Sequence, residues 1–458
     1  MKKKIFTRFY MLAMLILFAT SPLQAQNWLL GPSMMMYTNL TTDVYTQKVK
    51  PYDDRYLIAI SKYQDSVKYC FSLWENNNNL VYNSFIDTTG ITINDFTVLG
   101  DSIYFCGNIE TSPNVSQGIL GRFDVNDFLD DGNFNYDFVY IPDTTNLTRL
   151  VAYYSGVDTV SIMAIGHHTL NGTTPGKIVH LGFNVNTGNP ILSDLIYPAI
   201  SNTQKEIMHD ICISDDLVVT LSHGYPKNQY IVRYFNQSFL PSNMRKYIYT
   251  FPNIQFNVSS DVYEFPLHLA DISELKKAVC VSATDGNRNF TMVNILKRAS
   301  HYVLSTQLVS HYDKSNKPLE MEYSAKYNDL LLLNDSYHSG MGMIQTMTHL
   351  NPDSVSDYIS ATEFFVKPNV LNHFSIIQKN KYAVAGVVPK TSPIQMIATK
   401  RIPPENTDCV DLTSFLVDFI TVPDGVVGST DAFILCTLGW NSSTATNSGD
   451  VIHIYCSE

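Results

Sequence analysis

Tryptophan is nearly absent, with three in 458 residues against 28 tyrosines and 24 phenylalanines. A surface that holds sugars by stacking on indole rings is therefore disfavoured. Cysteine is too sparse, at seven, for a disulfide scaffold, and no CxxC or Cys/His cluster has zinc spacing. Positive charge is in deficit: 31 Lys and Arg face 42 Asp and Glu, a formal net charge of −11. That balance argues against a nucleic-acid backbone or an anionic membrane surface as partner. No segment beyond the N-terminal region reaches membrane-span length without polar interruption. Sustained 3.6-residue apolar periodicity flanked by caps is also missing, which removes the crossover helices of a parallel α/β sheet. G-x-S-x-G, H-E-x-x-H, P-loop and G-x-G-x-x-G signatures are all lacking.

What remains is rich in residues that suit strands. Hydrophobic residues make up 45% and aromatic residues 12%, and the Val, Ile, Tyr and Phe runs are short. At the N-terminus, Lys2, Lys3, Lys4 and Arg8 precede an uncharged apolar stretch from Met11 to Ala19, then Leu23-Gln24-Ala25. This is the layout of a secretory signal peptide cleaved between Ala25 and Gln26. Cleavage would remove four positive and no negative charges, leaving 433 residues at −15. The mature chain, 26–458, is expected as one domain, periplasmic or secreted. A Cys436–Cys456 bridge is a weakly specified option, and Cys106, Cys212, Cys280 and Cys436 read as small buried hydrophobes.

Apolar runs recur with a period near 54 residues: Tyr56–Ile60, Ile103–Gly107, Val160–Gly166, Leu217–Ser222, Ala278–Ala283, Leu330–Asn334, Tyr382–Gly386 and Ala432–Thr437. Each is followed by a polar loop and a second strand-like run, with further strands in stretches such as Phe134–Ile141 and Leu192–Tyr197. A unit of this size that cannot bury both faces alone predicts an all-β chain, a β-propeller of seven or eight four-stranded blades. The count favours eight. The last repeat lacks a fourth strand, which a strand within Trp28–Tyr37 is expected to supply, closing the ring.

Counting back 12 residues from the end of each run finds Asp95, Asp210, Asp271 and Glu322; counting back 13 in the seventh finds His373, and the longer third repeat offers Arg149. On innermost strands these would gather at one mouth of the central channel. The loops above them carry His167, His168, His223, Tyr225, Arg288, Tyr337, His338 and Trp440. The candidate ligand-binding set is therefore Asp95, Asp210, Asp271, Glu322, His373, His223, Tyr225 and His338. Such a ring could recruit Ca2+, but the favoured reading is that these groups hydrogen-bond turn backbone within each blade, with no cofactor.

The texture of a signal peptide followed by degenerate blades, as in Asp101-Ser102-Ile103-Tyr104-Phe105-Cys106-Gly107 and Gly118-Ile119-Leu120-Gly121-Arg122-Phe123-Asp124, resembles the uncharacterised secreted bacterial β-propellers. The resemblance implies fold and compartment and carries no catalytic residue across. The favoured function is a non-catalytic binding module for a protein, peptide or glycan. The alternatives are an extracellular glycan-active enzyme using paired carboxylates and a structural cell-envelope component.

Overall fold

The computed structural model describes residues 35–37, most of 44–401, and 450–452. Those residues are almost entirely strand, arranged as seven antiparallel sheets and one two-stranded pair. The innermost strands are Val44–Pro51, Ile91–Leu99, Asn146–Tyr154, Lys205–Ser214, His268–Ser273, Lys314–Ser324 and Leu371–Gln378. Each packs on the next, and the seventh packs on the first, so the described sheets close into a ring. The architecture is a β-propeller. The eighth expected run, Ala432–Thr437, lies outside the described residues, as do the signal peptide, the Cys436–Cys456 option and Trp440. Met35–Tyr37, within the segment expected to close the ring, pairs antiparallel with Asp450–Ile452. The latter strand lies against Ile394–Arg401 of the seventh sheet.

All seven described runs form the second strand of a sheet. They are uniformly apolar because both of their faces are covered by neighbouring sheets. In Thr159–His167, Leu217–Tyr225 and Lys276–Thr284 every residue between the two ends is buried. The interior clusters lie between sheets rather than within them. One joins Ile58, Phe71, Phe96, Phe105 and Phe123, with Phe71 and Phe123 edge-to-face at 4.8 Å between ring centres. Interdigitated rings of this kind supply much of the burial that one sheet alone could not.

A small residue recurs at the end of a run or just beyond it, as at Ser61, Gly107, Gly166, Ser222 and Gly386. The inner strand bulges opposite it in five sheets: at Thr46/Lys48 against Ser61, Ile93/Asp95 against Gly107, Leu147/Arg149 against Gly166, Met208/Asp210 against Ser222 and Leu371/His373 against Gly386. A bulge pushes backbone toward its partner strand. A Cβ built at Gly107 would stand 1.8 Å from the Thr92 carbonyl oxygen, and one at Gly166 would stand 2.0 Å from that of Asn146. Gly107→Ala must therefore move backbone, and a loss of about 1–3 kcal/mol is expected. Equilibrium urea unfolding of the variant checks this, and an unchanged midpoint would show that the strand shifts freely.

The fifth sheet departs from the pattern. Its inner edge is divided between Gln255–Phe256 and His268–Ser273, both paired with Lys276–Thr284. Among the described residues, no helix is long and apolar enough to cross a membrane.

Candidate functional site

The bulges aim one side chain per sheet at the axis. Lys48, Asp95, Arg149, Asp210, Glu320 and His373 each follow a bulge, and His268 takes the corresponding place in the fifth sheet, beside Asp210 and Glu320. Read around the ring, the sequence Lys, Asp, Arg, Asp, His, Glu, His alternates basic-type and acidic side chains. It is a mixed-charge layer rather than an acidic one.

Pairing within this layer is extensive. Lys48 Nζ lies 2.9 Å from Asp95 Oδ1, and Lys50, one step along the first strand, lies 3.1 Å from the same oxygen. Arg149 crosses from the third sheet to the sixth, its Nη2 donating to Glu320 Oε2 at 2.9 Å, while its Nε lies 4.0 Å from Asp210. His373 Nε2 is 3.4 Å from Glu320, and His268 Nδ1 is 3.5 Å from it. The Arg149–Glu320 bridge thus spans the channel from the third sheet to the sixth.

These contacts set the protonation states. Burial works to raise the Asp95 carboxyl, but Lys48, Lys50 and Arg149 outweigh it and hold the group well below the carboxylate range. Glu320 is likewise lowered against burial, chiefly by Arg149. Asp210 goes the other way: burial raises it, and the Glu320 charge adds to the rise. The Arg149 guanidinium, which burial disfavours, is held charged by Glu320, Asp210 and Asp95. Burial lowers His373 so that it stays neutral.

The carboxylates also bind backbone, within a blade, where Asp210 Oδ1 accepts from Ile211 N–H at 2.9 Å, and across blades. Asp95 Oδ2 accepts from Leu150 N–H at 3.2 Å, and Asp210 Oδ2 accepts from Leu269 N–H at 2.8 Å. Leu150 and Leu269 each belong to the next inner strand. These N–H groups face the axis, where the neighbouring sheet is the nearest source of acceptors.

Two residues of the expected ring lie elsewhere. Asp271 sits three residues beyond His268 and pairs at 2.7 Å with Lys277, which is fully buried. The divided inner edge of the fifth sheet causes this displacement. Glu322 lies two residues beyond Glu320 because the hairpin in the sixth sheet, from Ser324 to Asp329, is two residues longer than that between Leu99 and Ser102 in the second. Its side chain lies in the next layer, taking Ser375 Oγ and Ile376 N–H, both at 3.2 Å. Burial raises its carboxyl to about 8.

Above and below the ring lie two cavities that share Arg149 and Glu320. One, of about 400 Å3, includes Lys50, Asp95, Asp210, Glu322, His373 and Ser375. The other, of about 590 Å3, includes Lys48, Asn94, Asn108, His209, His268 and Lys317. The starts of inner strands pair with the ends of second strands, as Asn146 does with His167 and Lys205 with Tyr225. The larger cavity therefore opens on the face carrying the loops between second and third strands.

His223 was expected on one of those loops. It is instead inside the strand Leu217–Tyr225 and buried, with its Nδ1 2.5 Å from His209 Nε2. His209 Nδ1 accepts from Leu267 N–H at 3.3 Å, so Nε2 carries the proton and donates to His223. Burial lowers both imidazoles, His223 to about 4. Tyr225 ends that strand, half-buried, its ring edge-on to His223 at 6.4 Å. His338 ends the strand Asp329–His338; its side chain lies outside the described residues.

Sequence reasoning missed Lys48, His268, Glu320 and His209. The 12-residue count from Ile60 lands on Lys48, so the signal was there for the first. His268 and Glu320 were hidden by hairpin geometry. Asp210, His268 and Glu320 place one ligand atom each within 4.8 Å of one another, a donor set that suits a divalent ion. Arg149 already supplies positive charge to both carboxylates.

No family model matches the chain, and no curated protein does. Among solved structures, the chain is similar to Sqt1 of Chaetomium thermophilum, crystallised with the N-terminus of a ribosomal protein. The two share 10% identity at a TM-score of 0.48, over 77% of this chain and 85% of that one. It is also similar to the NanB sialidase of Streptococcus pneumoniae, with 7% identity and a TM-score of 0.42, over 79% of this chain and 92% of the sialidase.

Proposed function

We propose that the chain is an exported binding module that receives a partner in the cavity on its loop-bearing face. The observation that supports this reading best is the bridged ring. With Arg149 bridged to Glu320, the channel holds on this face a cavity of about 590 Å3 lined mainly by amides, hydroxyls, imidazoles and cations. A concave site of that size with convergent polar groups is what a selective ligand pocket requires. The ring carboxylates are held by neighbouring cations and strands, so their part is to hold the bridged ring.

One observation favours a second reading, the glycan-active enzyme. Asp210 and Glu320 are driven in opposite directions, one toward the acid and one toward the carboxylate, the division of roles that acid–base hydrolysis uses. Peptide and glycan arrays probed with the chain separate the two. Binding is expected without turnover, and Asn108→Trp, which fills the cavity, should abolish it while leaving the thermal midpoint unchanged. Glycan cleavage lost on Asp210→Asn would replace the binding reading with the enzymatic one.

A further inference from the structure

We propose that the ligand of the loop-face cavity is an acidic peptide segment, whose carboxylates are received by Lys317 and the cationic side of the ring. This rests on the binding reading above and names the ligand class for the same pocket.

The first support is a reversal of sign. The chain as a whole carries a net charge of −11, yet among the described residues the charged ones lining this cavity are Lys48, Arg149 and Lys317 against Glu320. Concave walls of low dielectric focus such a local field. Lys48 and Arg149 are engaged with ring carboxylates. Lys317 differs: among the described residues it makes no ion pair or side-chain hydrogen bond, and it stands partly exposed at the start of the sixth inner strand. Glu320, the lining carboxylate among them, is already bridged to Arg149. An incoming carboxylate therefore finds an unengaged cation and no unpaired anion.

The second support is the rest of the lining. The amide of Asn108 is half-buried and, among the described residues, has no hydrogen-bond partner. An amide offers both a donor and an acceptor, the pair that a peptide backbone presents in return. Among the described residues, no Phe, Tyr or Trp ring lines the cavity. Sugars, including acidic ones, would lack the aromatic platform on which their apolar faces stack, whereas an extended acidic peptide needs none.

The test uses the chain from residue 26 to 458 and fluorescein-labelled octapeptides of Glu, Gln and Lys, with tetragalacturonate as the acidic sugar. Fluorescence anisotropy is expected to show binding of the Glu peptide alone. Its Kd should rise at least tenfold in Lys317→Glu, and rise with added NaCl. Arg298→Glu, a charge change at a partly buried residue paired with the exposed Asp216 and Glu274 and absent from the cavity lining, should leave the Kd within twofold. Binding of the Glu peptide unaffected by Lys317→Glu would overturn the assignment of the site. Tetragalacturonate binding that depends on Lys317, without peptide binding, would replace the peptide with an acidic glycan. If the Gln peptide binds and Asn108→Trp abolishes it, the pocket stands but its acidic selectivity does not. If no probe binds, the acidic-peptide proposal fails, and the array experiment decides separately whether the pocket binds anything.

Discussion

Arg149→Met is expected to destabilise the protein by about 3–5 kcal/mol at neutral pH, the usual cost of removing one partner from a buried ion pair. Its guanidinium is the bond between the third and sixth sheets and the cation facing Asp210, Glu320 and Asp95. Without it, two carboxylates separated by little more than an imidazole must stay buried beside each other or take up protons. The loss should therefore shrink as pH falls through the carboxylate range. The triple variant Arg149→Met/Asp210→Asn/Glu320→Gln, which keeps the shapes and removes the charges, should recover most of the stability. Urea unfolding of the three proteins at pH 4 and pH 7 decides it. A loss under about 1 kcal/mol at pH 7 would mean that the bridge does not form, on the scale of exposed pairs. In the same view EDTA followed by Ca2+ should leave the wild-type midpoint unchanged, because the guanidinium already serves the carboxylates. A midpoint that falls with EDTA and returns with Ca2+ would assign a cation to Asp210, His268 and Glu320.

Glu322→Gln should stabilise the protein, and only at higher pH. Burial raises the folded-state carboxyl to about 8 from an ordinary 4.5. The folded chain then holds a proton that the unfolded chain releases, so stability is full below about pH 4.5 and falls as pH rises toward 8. At about 1.4 kcal/mol for each unit between those two values, the penalty above pH 8 is on the order of 3–5 kcal/mol. Glutamine mimics the protonated acid: its oxygen can accept from Ile376 N–H and its amide can donate to Ser375 Oγ. Wild type and variant should therefore match at pH 4 and diverge steadily to pH 8. The buried imidazoles act in the opposite sense, because groups lowered by burial stabilise the fold as pH rises through their unfolded range. Comparing the two proteins at each pH cancels them. Parallel stability curves across pH 4–9 would show that Glu322 is ionised in the folded chain.

The sequence by itself determined the repeat and what the repeat becomes. Runs ending in Gly107, Gly166, Ser222 and Gly386 are legible because a second strand covered on both faces must be apolar, and because the bulge opposite it admits only a small residue. Those two local requirements put Asp95, Asp210 and His373 on inner strands by counting, and the longer third repeat offered Arg149. Tertiary structure decided the rest. Hairpin length, which one insertion changes, moved the sixth ring position from Glu322 to Glu320, and a divided inner edge gave the fifth to His268 instead of Asp271. The partner of each charge was invisible in the chain: Arg149 and Glu320 are 171 residues apart and meet only across the channel. Local spacing fixes which residues face the axis. Only ring closure fixes the distances among them, and with those the protonation states and the bridge across the channel.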